Sequence, residues 1–214
     1  MNPSLITEEL YQRYLRALLD GNRQRCHNLV SELLDNDIDV KDLYVHLFQR
    51  ALYRVGELWE NNKISVAVEH IATAITEGLL SLVYPRIFDA EHCGKKAVIA
   101  CVPNEYHQIG AKMVADTFEL NGWDGYFVGA NTPTQELLDL LQDNDPDVIG
   151  LSLSIYFHLP QFEKMLTEIR NEFPETPVWV GGQAFRWGGV EVIEKFYNTT
   201  FINSLHNLEM KLQT

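Results

Sequence analysis

The sequence is poor in positive charge: 17 Lys and Arg stand against 30 Asp and Glu, a formal net charge of −13 over 214 residues. A nucleic-acid backbone wants a basic face, so direct binding to DNA or RNA is not expected. Cysteine is scarce as well. Cys26, Cys93 and Cys101 lie far apart with no Cys-x-x-Cys spacing, which excludes the common zinc and dithiol motifs and leaves unpaired thiols suited to a reducing compartment. No apolar run approaches the roughly 20 residues that span a bilayer, and Met1 to Asp20 lacks a signal peptide's basic and apolar regions. A cytoplasmic chain with no membrane partner is expected. Gly-x-Gly-x-x-Gly is missing, which argues against a dinucleotide site. The acidic cluster and lysine of a phospho-accepting receiver are missing too, and no internal repeat or low-complexity segment occurs.

With 46% hydrophobic and 22% charged residues, the composition is that of an ordinary globular protein with ample core. Residues 1–92 read as helices. Ile6 to Leu19 carries Leu10, Tyr14, Ala17 and Leu18 on one stripe and stops at Gly21. Arg23 to Leu34 repeats the pattern. Asp39 is placed to cap a longer helix with Leu43, Leu47, Leu52, Val55 and Leu58 inward, ending near Asn61-Asn62. Ser65 is placed to cap a fourth helix through Ile71, Ile75, Leu79 and Leu82 to about Phe88. Amphipathic helices with short connections make a bundle, here of four. The polar stretch Asp89 to Lys96 reads as a linker. Over 93–214 the pattern changes to short strands (97–102, 125–128, 147–154, 177–180, 200–203) alternating with helical segments (107–121, 134–143, 159–172, 189–196, 205–213). That alternation predicts a doubly wound five-stranded parallel sheet, flavodoxin-like or Rossmann-like.

The loop after the first strand, Pro103 to Gly110, carries a carboxylate, a histidine and a glycine as Glu105-x-His107-x-x-Gly110. In open α/β sheets ligands bind at the carboxyl ends of the strands. A neutral imidazole there is a ready metal ligand, and a carboxylate two residues earlier can hold its other nitrogen in the right tautomer. Further polar or small residues fall at the ends of the next strands: Asn131 and Thr132, Ser152 and Ser154, Gly181 and Gly182. Glycines permit close approach of a bulky ligand to backbone. His158 is a possible neighbour of the Glu105–His107 pair, and Arg186 and Trp187 follow the Gly-Gly turn.

Glu105-x-His107-x-x-Gly110, then Ser152-Leu153-Ser154, then Gly181-Gly182 after a further 26 residues, resembles the signature of cobalamin-binding domains that hold their cofactor base-off and histidine-on. The chain departs from the usual Ser-x-Leu once, with Ser154. The resemblance implies that His107 is the lower axial ligand to cobalt and Glu105 its supporting partner. It implies that Gly110, Ser152, Gly181 and Gly182 line the channel for the displaced nucleotide tail, with Thr132 and Ser154 on the same rim. In the helical half, Trp59, nine residues, then Glu69-His70 is similar to the Trp-x(9)-Glu-His motif of light-sensing repressors that use adenosylcobalamin. There a four-helix bundle caps the corrin and the motif surrounds the adenosyl group. An indole is a flat apolar wall, and a glutamate accepts hydrogen bonds from ribose or adenine.

Two departures shape the expectation. Glu60 stands where the photoreceptors carry a histidine, and the bundle begins within the first ten residues, which leaves no room for a DNA-binding domain. The resemblance therefore implies a stand-alone cobalamin sensor, with adenosylcobalamin favoured over methylcobalamin or hydroxocobalamin. Such a sensor would signal through a partner protein in transcription regulation, with a homo-oligomer as one form of assembly, and is not itself an enzyme. The alternative is a corrinoid shuttle of a methyl-transfer system; a relative that takes haem is a third.

Overall fold

The computed structural model describes residues 6–213. They divide into two compact units, Met1–Ile87 and Phe88–Thr214.

In the first unit each helix starts where a side chain satisfies an otherwise orphaned backbone N–H. Thr7 accepts from the Leu10 N–H at 3.2 Å to open α1 (Glu8–Leu19). Asn22 accepts from Arg25 to open α2 (Arg23–Asp35). Asp39 accepts from Lys41 to open α3 (Val40–Asp42), which runs on through a π-helical stretch, Leu43–Gln49, into α4 (Arg50–Glu60). Ser65 accepts from Val68 to open α5 (Val66–Leu80), which continues through the 3-10 turn Ser81–Val83 into α6 (Tyr84–Ile87). The π stretch was not legible in the apolar spacing. Its wider turns rotate the helix face, so Tyr44, Phe48 and Ala51 join Leu43, Leu47 and Val55 inside, while Leu52 and Leu58 stay half-buried. Arg86 ties the far end down by donating to the carbonyls of Ile38 at 2.8 Å and Leu34 and to the Asp37 carboxylate at 3.1 Å.

One expectation needs correction here. The continuous helix Val66–Ile87, 22 residues, is by length and composition apolar enough to cross a membrane. No single run in it is uninterrupted, since Glu69, His70, Glu77 and Arg86 punctuate it, and that is why a scan for runs passes over it. In this unit α5 packs on α1, α2 and α4 and buries Ala72, Ile75, Thr76, Leu79 and Leu80.

The second unit alternates β1 (Lys96–Cys101), α7 (Ile109–Leu120), β2 (Asp124–Gly129), α8 (Thr134–Asn144), β3 (Val148–Ser152), α9 (Leu159–Glu172), β4 (Val178–Gly181), α10 (Val190–Ile193), β5 (Thr199–Phe201) and α11 (Leu205–Leu212). The five strands pair in parallel in the order β2-β1-β3-β4-β5. β1 and β3 are buried almost throughout, as near-continuous apolar runs in a parallel sheet should be. Val98, Ala100, Ile149, Leu151 and Val180 pack with Leu137, Leu141, Phe162, Met165 and Ile169 from α8 and α9. On the other side Phe118 of α7 stacks on Trp179 at 5.7 Å and meets Trp123 edge-on at 5.4 Å. Residues 88–95, where a linker is expected, are tied to this unit: the Cys93 N–H donates to the Gly122 carbonyl at 2.7 Å, and His92 Nδ1 lies 2.6 Å from Asp124. β3 ends two residues before Ser154, and α7 starts two residues after His107.

Candidate functional site

Strand order 2-1-3-4-5 reverses direction between β1 and β3, and the crevice at that switch point is where an open α/β sheet receives a ligand. Glu105 sits across it. Its side chain is fully buried although its loop is on the rim. Oε1 accepts from the His107 backbone N–H at 3.0 Å and lies 2.6 Å from His107 Nδ1. Oε2 accepts from the backbone N–H groups of Ser154 at 2.8 Å and Ile155 at 2.9 Å, just past β3. The Ser154 and Ile155 amides past the end of β3 and the His107 amide ahead of α7 thus all donate to this one carboxylate.

A buried carboxylate is otherwise costly. Burial on its own would push the Glu105 carboxyl up, but the His107 ring and the His107, Ile155 and Ser154 amides outweigh it and hold the carboxyl down at about 2. Glu105 is therefore a fixed negative charge at every physiological pH. Facing this carboxylate, His107 Nδ1 is the ring nitrogen that donates, and Nε2 is the one that can ligate a metal when the ring is neutral. The His107 side chain is 57% exposed. His158 Nδ1, buried with no hydrogen-bond partner among the described residues, lies 3.9 Å from Glu105 Oε2; the structure does bring this histidine beside the pair. Behind the loop, burial and then the Glu105 charge push the Cys101 thiol up to about 12, which leaves it unreactive.

The remaining rim residues divide by what their small size serves. A Cβ at Gly110, in the first turn of α7, would meet nothing within 4 Å, so no neighbour in the fold requires glycine there. Gly182 is the opposite case: its φ is +123° and a Cβ would fall 2.0 Å from the Leu153 carbonyl oxygen. Gly181 accepts from the Leu153 N–H at 3.0 Å and continues the ladder. Ser152 ends β3 half-buried, and Ser154 contributes its backbone N–H to Glu105. Thr132 is buried, its hydroxyl donating to the Gly129 carbonyl at 3.3 Å. Asn131, expected on the rim beside Thr132, and Asn104, to which the sequence assigns no role, complete the loop. Asn104 and Asn131 both adopt positive φ, and the Asn104 N–H donates to Asn131 Oδ1 at 2.8 Å. Asparagine at a loop tip is the one sequence signal for such positions.

In the helical unit, Trp59 lies in the last turn of α4 with 47% of its surface exposed, and Glu69 and His70 lie in the first turns of α5. Neighbouring helix residues diverge by about 100°. Here the two side chains turn toward each other, His70 Nδ1 lying 2.5 Å from Glu69, which also accepts from the Thr73 hydroxyl at 2.9 Å.

Among the described residues no group of three or more His, Cys, Asp or Glu side chains is placed to hold a metal ion. The rim offers one firmly aimed imidazole instead. That donor set does not chelate a free ion, and it suits a metal that arrives with its other ligands in a macrocycle. Open space at Gly110, beside it, leaves room for such a group.

Residues 10–84 and residues 95–197 each match a family described as B12 binding domain. The HTH-type transcriptional repressor CarH of Myxococcus xanthus is 33% identical over 134 residues, 62% of this chain and 44% of that protein. CarA of the same organism is 29% identical over 181 residues, 84% of this chain and 60% of that protein. The chain thus spans about half the length of these curated relatives. In fold, it superposes on the monomethylamine corrinoid protein of Methanosarcina barkeri with a TM-score of 0.82 at 13% identity, covering 97% of this chain and 99% of that one.

Proposed function

The chain belongs to the B12-binding-domain family, and from that premise we propose that it is a cobalamin sensor in which His107 is the lower axial ligand to cobalt. It is a cobalamin-binding protein related to the CarH and CarA repressors; the ligand, the preferred form and the output belong to the proposal. One observation carries it. A fully buried carboxylate, held by three backbone amides, fixes the half-exposed His107 ring through Nδ1 at 2.6 Å, which makes Nε2 the nitrogen that would ligate a metal.

Cobalamin, when bound, supplies a cobalt–carbon bond open to cleavage by light or by a methyl acceptor. The chain's own residues do the rest. His107 would hold the cobalt through Nε2 in place of the cofactor's own base, with Glu105 taking the Nδ1–H and fixing the ring's orientation. Gly110 would leave room for the displaced tail, and Ser152, Ser154, Thr132 and the tight Gly181–Gly182 turn would border it. By its likeness to the Trp-x(9)-Glu-His motif, the group Trp59, Glu69 and His70 would serve the upper ligand, and an indole wall with a carboxylate acceptor would suit a nucleoside, hence the adenosyl form. The output passes to a partner protein in transcription regulation, in the cytoplasm, where the three free cysteines are at home.

Absorption spectra test this reading. Protein is mixed in the dark with adenosyl-, methyl- or hydroxocobalamin and then illuminated, with His107→Ala alongside. Wild type gives a histidine-ligated spectrum, tightest binding of the adenosyl form, and a change in size-exclusion profile on illumination. A His107→Ala spectrum and affinity equal to wild type removes the ligand assignment. Equal affinity for the adenosyl and methyl forms, with no effect of light on assembly, favours the corrinoid shuttle instead.

A further inference from the structure

We infer that Asn131, on the loop after β2, is a positioning residue for His107, holding the Asn104–Glu105 backbone from which the ligand pair is built. The inference rests on the reading of His107 as the cobalt ligand. It starts from where the Glu105 carboxylate gets its fixed position. Four donors hold the carboxylate, but the backbone that carries it lies past the end of β1, beyond the sheet ladder. That backbone is held at two points by one residue. The Asn131 N–H donates to the Glu105 carbonyl at 2.8 Å, and Asn131 Oδ1 accepts from the Asn104 N–H at 2.8 Å. The Glu105 N–H closes a turn onto the Val102 carbonyl at 3.0 Å.

Both asparagines sit in the left-handed region, Asn104 at φ +67° and Asn131 at φ +50°. Asparagine tolerates that region better than other side chains, and each loop tip is bent so that the two interlock across β1 and β2. Both residues are exposed, so the clasp buries no apolar surface. Its effect is local. It fixes the segment two residues ahead of His107, and any shift there is passed to the ring through the carboxylate at 2.6 Å.

Two variants separate the side-chain bond from the backbone conformation. Asn131→Gly keeps the left-handed geometry and the N–H but deletes the acceptor; Asn131→Asp keeps both. With hydroxocobalamin as the probe, Asn131→Gly should bind about fivefold more weakly, the loss of one net hydrogen bond, with a fraction of the bound cofactor lacking the histidine-ligated spectrum. Asn131→Asp should restore both. In the cofactor-free chain, the proton NMR signal of His107 Nδ1–H should exchange with solvent faster in Asn131→Gly than in wild type or Asn131→Asp. Wild-type spectra and affinity in Asn131→Gly, or a lowered melting temperature with a normal spectrum, overturn the inference by assigning Asn131 to the fold. Failure of Asn131→Asp to rescue overturns it as well. His107→Ala serves as the control: if it keeps the histidine-ligated spectrum, the ligand reading falls and takes this inference with it. If His107→Ala loses that spectrum and Asn131→Gly does not, only the inference falls.

Discussion

Replacing Glu105 with glutamine changes one oxygen to an amide nitrogen with almost no change in shape, and the structure says what that costs. Four donors converge on the carboxylate: the His107 ring and N–H on one oxygen, the Ser154 and Ile155 N–H groups on the other. Glutamine offers one acceptor oxygen, so two of these donors must face an NH2 group. At the lower end of about 1.5 kcal/mol for each hydrogen bond to a charged group, two lost bonds amount to about 3 kcal/mol. The depressed carboxyl expresses the same four bonds as a pH dependence. A carboxyl held at about 2 against its ordinary 4.5 contributes about 3 kcal/mol of stability at neutral pH, at about 1.4 kcal/mol per pH unit. The sign follows from the depressed value. The contribution is fully present above pH 4.5 and is lost as pH falls from there toward 2. Urea unfolding in a Trp59→Phe background reads it directly, because the remaining tryptophans, Trp123, Trp179 and Trp187, all belong to the sheet unit. Glu105→Gln should be about 3 kcal/mol less stable than wild type at pH 7, with the gap closing below pH 4. A gap under about 1 kcal/mol at pH 7, or one that stays constant down to pH 2.5, refutes the account of Glu105 as an ionised, saturated carboxylate.

The glycines make opposite predictions. Gly110→Ala meets nothing in the fold and should stabilise α7 by roughly 0.5–1 kcal/mol, yet weaken hydroxocobalamin binding about tenfold if the cofactor uses that space; thermal melts and a binding titration on one sample decide. Gly182→Ala, with its Cβ 2.0 Å from the Leu153 oxygen, should lose about 3 kcal/mol or more, or fail to fold, which urea melts or soluble yield will show. Trp59→Ala and Glu69→Ala should each narrow the preference for adenosylcobalamin over methylcobalamin in competition binding, and an unchanged ratio would remove both from the upper face. Since Glu60 supplies no imidazole to the upper face, an illuminated sample should remain exchangeable with added cyanide, and a cyanide-resistant spectrum would mean that another residue takes that place.

Much of the fold was legible because its signals are side-chain signals. Asp39 and Ser65 stand before apolar stripes and do cap helices, and Thr7 and Asn22 prove to cap the two earlier ones. The run Ala97 to Val102 reads as a buried strand and is one. The identity and spacing of Glu105-x-His107 predicted a paired carboxylate and imidazole, and the structure joins the two at 2.6 Å. The π stretch Leu43–Gln49 escaped, because leucines and aromatics at mixed spacings fit either turn width.

The sequence by itself therefore determined most of the apolar stripes, where helices and strands would alternate, and which imidazole stood beside a carboxylate. Tertiary structure alone decided what makes that carboxylate a fixed charge. The Ser154 and Ile155 amides lie some 50 residues away in sequence, and the Asn131 N–H comes from a third loop. They meet Glu105 only because the parallel sheet reverses its order between β1 and β3. Every non-proline residue carries the same N–H, so no side-chain pattern marks the ones that will converge. The two critical glycines show the same limit: written alike, Gly110 faces open space and Gly182 faces the Leu153 carbonyl, and only the packed chain tells them apart.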